Sequence, residues 1–166
     1  MQTLTFGTLY VLVFVSHPRR ELVHLNVTAS PTAAWVWRQL IEATPFGCQP
    51  RYLMRDRDAL YGRDFVRRAR RLGSETVLTP IRAPRANAIA ERLVGTLRRE
   101  CPDHLVVVNE AHLWAILTEF LRYDNTERPH RTLALQTPTP AVRPTAGPIR
   151  SRPVLGGLHH VYQRAA

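Results

Sequence analysis

The run Leu9–Val15, LYVLVFV, constrains the fold of this chain more than any other stretch. It is apolar throughout and rich in β-branched and aromatic residues, the composition of a strand. It is far short of the roughly 18–20 apolar residues that a membrane helix needs. A strand apolar at successive positions has no polar face, which predicts burial on both sides. Ser16–Arg20 turns the chain at Pro18, and Glu21–Thr28, ELVHLNVT, alternates as a second strand paired in a hairpin. His24 then packs on that strand rather than serving as a ligand.

The order of the later elements follows from punctuation and period. Pro31 opens a helix to about Glu42, with Trp35, Val36, Leu40 and Ala43 available for packing. Pro45-Phe46-Gly47 ends it. Arg51–Met54 is a short strand that runs into Arg55-Asp56-Arg57-Asp58, either a salt-bridged turn or a pair of acids for a divalent ion. A basic helix over 63–72 is closed by Gly73 and followed by a strand, Glu75–Leu78. Asn109 caps a long amphipathic helix from Glu110 to about Asn125, with Leu113, Ile116, Leu117, Phe120 and Leu121 turned inward. From Ala134 the composition shifts to Pro, Thr and Gly, with five Pro between 138 and 153. This divides the chain into a core, residues 1–133, and a Pro-rich arm, 134–166. His159 and His160 are adjacent, a poor arrangement for chelation, and read as surface or interface residues. Strands and helices in this order predict an α/β fold, a mixed sheet with helices against it.

Charge narrows the partner class. The formal net charge is +10, and all 23 basic residues are Arg. Residues 1–50 hold three Arg and two acids, whereas 51–100 hold thirteen Arg and six acids, a local net of +7. Guanidinium groups bind phosphate bidentately and stay ionised when partly buried, so nucleic acid is the leading partner class. No segment has the length or pattern of a membrane span, and no helix joins a basic face to exposed aromatics. Cys48 and Cys101 form no CxxC pair, which argues against a disulfide framework and a thiolate metal site.

Within the basic region lies Thr79–Glu100, TPIRAPRANAIAERLVGTLRRE: a Pro-broken loop, then a helix from near Asn87. Helical spacing puts Asn87, Glu91, Gly95 and Arg98 in one stripe with Arg92 and Arg99 beside it. Ile89, Ala90, Leu93, Val94 and Leu97 fall on the other side. Glu91 is thus one carboxylate among guanidinium groups, either a solvated Glu–Arg pair or a chemical group. Arg82, Arg85, Asn87, Arg92, Arg98 and Arg99 are candidate DNA contacts. Asp56 and Glu91 are separated by 34 residues. Gathered on Mg²⁺, carboxylates run in-line phosphodiester chemistry, but the spacing by itself is a weak signal.

Four stretches together resemble the integrase core of bacterial insertion-sequence transposases, relatives of retroviral integrases with an RNase H-like fold. They are LYVLVFVSHPRRELVHLNVT, RDRDALYG, TPIRAPRANAIAERLVGTLRREC and YDNTERPHRTL, the last being Tyr123–Leu133. The likeness covers about residues 4 to 140. It implies catalytic and metal-ligating roles for Asp56 and Glu91, Mg²⁺ or Mn²⁺ as cofactor, DNA as substrate, a homo-oligomeric assembly and a bacterial cytoplasmic, nucleoid-associated setting. The family uses a third acid, on a strand before the hairpin. Residues 1–20 contain none, so the resemblance implies a first strand that is truncated and a site with two of three acids. The expected activity is Mg²⁺-dependent DNA strand transfer, weak or absent in this chain. The alternatives are a non-catalytic DNA-binding remnant or regulator of transposition, and a nuclease of the same fold.

Overall fold

A computed structural model describes residues 1–4, 6–58, 61–62, 64–80 and 87–165. Its first unit is the hairpin of β1 (Tyr10–Ser16) and β2 (Glu21–Thr28), paired antiparallel. The register slips between Phe14 and Val15: Phe14 faces His24, but Val15 faces Leu22. The extra residue, Val23, is a β-bulge. It lets Leu22 point to the same side as Leu25 and Val27 despite the odd spacing, and all three are buried. Strict alternation would have put Leu22 on the opposite side from the other two.

That side of the hairpin meets α4 (Glu110–Thr126). Asn109 caps the helix, its Oδ1 accepting from His112 N at 2.8 Å. Leu113, Ile116, Leu117 and Phe120 are buried against β2 in the main core, and Leu121 packs at its edge. At the helix end Asn125 behaves like a strand residue. It accepts from Leu22 N and donates to Leu22 O, both at 2.9 Å. Helix and hairpin are thereby fixed in register by a buried side chain.

The opposite side of the hairpin meets α1 (Ala33–Ala43), capped by Thr32 Oγ1 accepting from Trp35 N. Gln39 is buried there, its Oε1 2.6 Å from Asn26 Nδ2 and 2.8 Å from His24 Nε2. His24 accordingly packs on the strand. Val36 and Leu40 form a second, smaller core with Phe65 and Ala69 of α2 (Phe65–Arg71). Leu12 and Phe14 of β1 and Leu53 of β3 (Tyr52–Arg55) close it. β3 pairs in parallel with β4 (Glu75–Leu78) through α2, and Gly73, with φ +88°, makes the left-handed exit from that helix.

α3 (Ala88–Glu100) buries Leu97 and half-buries Leu93 against the main core, while Val94 stays exposed. The C-terminal arm carries more structure than its composition suggests. β5 (Ile149–Val154) and β6 (His159–Arg164) form an antiparallel hairpin, and Val154, Leu155 and Val161 enter the main core. Arg19 pins the approach to it, donating to the carbonyls of Thr137 and Pro138.

The α/β class and the element order through α4 are as expected, but the strands do not form one mixed sheet. Among the described residues they make three two-stranded sheets, β1–β2, β3–β4 and β5–β6. Nor is β1 buried on both faces: none of Tyr10–Ser16 is fully buried. Its two faces are covered only in part: Leu12 and Phe14 pack on the small cluster, and Val11, Val13 and Val15 on the main core. Among the described residues β2 is its one strand partner.

Candidate active site and nucleic-acid interface

Asp56 leaves the end of β3 into solvent. Its Oδ1 accepts from Asp58 N at 3.1 Å, the bond of an Asx turn. Beneath it Arg55 lies across aromatic faces, its guanidinium carbon 4.7 Å from the Tyr61 ring centroid and 5.5 Å from that of Phe65. Burial, then the negative charge of Asp56, pushes the Tyr61 hydroxyl up to about 12, with Arg55 opposing. Of the two readings of this turn, the structure supplies the turn bond, while no ion pair of Asp56 is found among the described residues.

Glu91 stands in the first turn of α3, where the helix dipole favours an acid. It is exposed and has no ion pair among the described residues, so a Glu–Arg pair does not account for it. Asn87 sits at the N-cap without a capping bond from its side chain. Arg98 and Arg99 are exposed on the last turn, and the Arg99 guanidinium folds back over Gly95. Arg82 and Arg85 lie outside the described residues. Among those described, no three His, Cys, Asp or Glu side chains gather as a metal site. Two exposed carboxylates do not supply the oxygen set a divalent ion needs, so these residues alone do not fit one.

A second constellation lies in the Tyr123–Leu133 stretch. Asp124 is fully buried one turn beyond Phe120, in line with the inward stripe of α4. Arg128 donates to Asp124 Oδ1 at 3.3 Å and also pairs with Glu100 at the end of α3. His130 Nε2 lies 3.0 Å from Asp124 O and 3.5 Å from its Oδ1. Burial pushes the Asp124 carboxyl up, opposed by His130 and Arg128. Tyr123 stacks on His159 at 5.1 Å between ring centroids, and His159 Nε2 reaches Glu100 O at 2.7 Å. The stretch Tyr123–His130 thus ties the ends of α3 and α4 to the C-terminal hairpin. The available signal was a polar pair, Asp124-Asn125, where the apolar period of α4 calls for core residues.

Residues 72–138 match the integrase core domain family. The match covers less than half of the chain. The matched segment includes α3 with Glu91, all of α4 and the Tyr123–Leu133 motif. It begins after Asp56 and after the hairpin. A comparison with curated proteins finds no match.

Proposed function

We propose that this chain is the catalytic-core portion of a transposase or integrase that acts in DNA recombination. The observation that carries this reading is the integrase-core match over 72–138, which spans the Glu91 helix and the closing Arg-Pro-His motif. The run of Arg between 51 and 100 supports DNA as the partner. In this reading the fold is of the RNase H type, residues 1–133 are the core and 134–166 the docked arm. Asp56 and Glu91 are two carboxylates of a Mg²⁺- or Mn²⁺-dependent site, too few by themselves to complete an ion's oxygen shell, and the working unit is a homo-oligomer on DNA. Arg82, Arg85, Asn87, Arg92, Arg98 and Arg99 contact the backbone. Strand transfer by the chain alone is then weak or absent.

The second reading is a DNA-binding regulator without catalysis, favoured by the absence of a three-ligand cluster among the described residues. Nicking and joining of labelled DNA ends with Mg²⁺ or Mn²⁺ separates the two. Metal-dependent products abolished by Glu91→Gln establish catalysis. Salt-sensitive binding without products supports the regulator. Changing the five arginines together to Ala is expected to flatten the salt dependence of DNA binding; an unchanged slope removes them from the interface.

A further inference from the structure

The C-terminal hairpin has a core face and an outer face. Alternation puts Val154, His159 and Val161 on the core face, where both valines are buried and His159 stacks on Tyr123. Ile149, Ser151, Pro153, His160, Tyr162 and Arg164 fall on the outer face, and all six are exposed. Tyr162 stands opposite Ser151 in the register. So small a cross-strand neighbour cannot cover a phenol ring, and Tyr162 is left 68% exposed. The His160 ring, on the same face of the same strand, lies 6.4 Å from it between centroids, tilted by 31°. The outer face thus offers two neighbouring rings to solvent.

The arm also carries charge of one sign. Residues 134–166 contain four Arg and no Asp or Glu. Arg152 is paired with Glu127, and Arg143 donates to the carbonyls of Thr126 and Glu127. The other two guanidiniums meet no carboxylate among the described residues. Arg164 donates to Gly147 O, and Arg150 has no hydrogen bond or ion pair among those residues. Arg164 shares the outer face with Tyr162, and Arg150 pairs with Gln163, the next residue.

Exposed rings suit a flat partner, and unopposed guanidiniums suit an anion. An acidic peptide meets the second demand without the first. Duplex DNA offers phosphate, but its base faces are already stacked on one another. A single strand offers free base faces and phosphates together, and aromatic side chains in a basic setting are how proteins hold one. We infer that the outer face of the C-terminal hairpin binds single-stranded DNA, with bases on Tyr162 and His160 and backbone phosphates on Arg150 and Arg164. The hairpin lies outside residues 72–138, so this contact is separate from the integrase-core match. It deepens the proposed DNA role and rests on it. It requires neither Asp56 nor Glu91.

The test follows the full chain binding four labelled probes by fluorescence anisotropy: an oligo(dT) strand, an abasic strand of the same length, a duplex and polyglutamate. The dT strand is expected to bind about ten-fold tighter than the abasic strand, and Tyr162→Ala to remove about as much, since one stacked base contributes at that level. Tyr162→Phe should keep the affinity. Duplex binding and the far-ultraviolet dichroism should stay unchanged in both variants, because position 162 is exposed. Arg150→Ala with Arg164→Ala should weaken the dT strand and lower its salt dependence. Abasic strand or polyglutamate bound as tightly as the dT strand overturns the inference. So does a dT affinity indifferent to Tyr162→Ala with His160→Ala, or a Tyr162→Ala loss equal on duplex and strand. If the duplex binds and the single strand does not, the hairpin assignment fails and the DNA reading stands. If neither binds, both fail.

Discussion

The two cores of this protein are built to different standards. On one side of the β1–β2 hairpin, α4, α3 and the C-terminal hairpin close a large apolar core that holds Leu22, Leu113, Leu117 and Phe120 almost free of solvent. On the other, α1, α2 and β3 share a small cluster around Val36, Leu40, Phe65 and Ala69. The large core also carries buried polar ties, Asn125 to Leu22 and Asp124 to Arg128, that fix one arrangement of its elements. The small core joins two separate sheets only through side chains. Asp56 hangs from the small core, and Glu91 stands on the exposed side of a helix docked to the large one. Each acid is positioned by a different core. Their separation is therefore only as fixed as the thin α1–β1–β3 contact allows.

The largest expected effect tests the large core. Phe120→Ala, at a fully buried site, should lose about 3–5 kcal/mol in urea unfolding. Leu40→Ala should lose less, about 2–3 kcal/mol, because a small cluster relaxes around the cavity. Equal losses would mean that the two cores are packed alike. Asn125→Ala leaves the buried N–H and C=O of Leu22 unpaired and should cost about 1–3 kcal/mol by the same measurement.

Alkali offers a separate probe of each core. Burial, aided by the Glu119 charge, pushes the Cys101 thiol from 9.0 up to about 12. The raised value means the fold prefers the protonated thiol. Its contribution is complete below pH 9 and is lost as pH rises toward 12. Stability should therefore fall by about 1.4 kcal/mol per pH unit in that window, and Cys101→Ala should remove that slope. Tyr61→Phe in the small core should act only from pH 10, the ordinary value from which its hydroxyl is raised. The smallest effect is expected at the surface. Arg152→Ala breaks the pair with Glu127 and should cost under about 1 kcal/mol, measured by thermal melting.

Much of the local structure was legible. The hairpin, the parallel β3–β4 pair flanking a basic helix, the Asn109 cap and the inward stripe of α4 all follow from period and punctuation. Other features were not. The Val23 bulge has no local signature, because a one-residue shift is decided by which side chains the core accepts. The strands at 149–154 and 159–164 hid in a Pro-rich composition, and only docking of Val154, Leu155 and Val161 orders them.

By itself, then, the sequence determined the α/β class, the concentration of Arg, the two acids and the integrase-type motifs, since each depends on residue type and near spacing. Only the tertiary structure decided three things. β1, apolar on every face, stays half-buried, because the cores on its two faces cover it only in part. Asp124 and Asn125 become buried organisers, because the helix carrying them faces β2. And Arg20, Arg92 and Arg131, far apart in the chain, share one cleft, because three elements converge there.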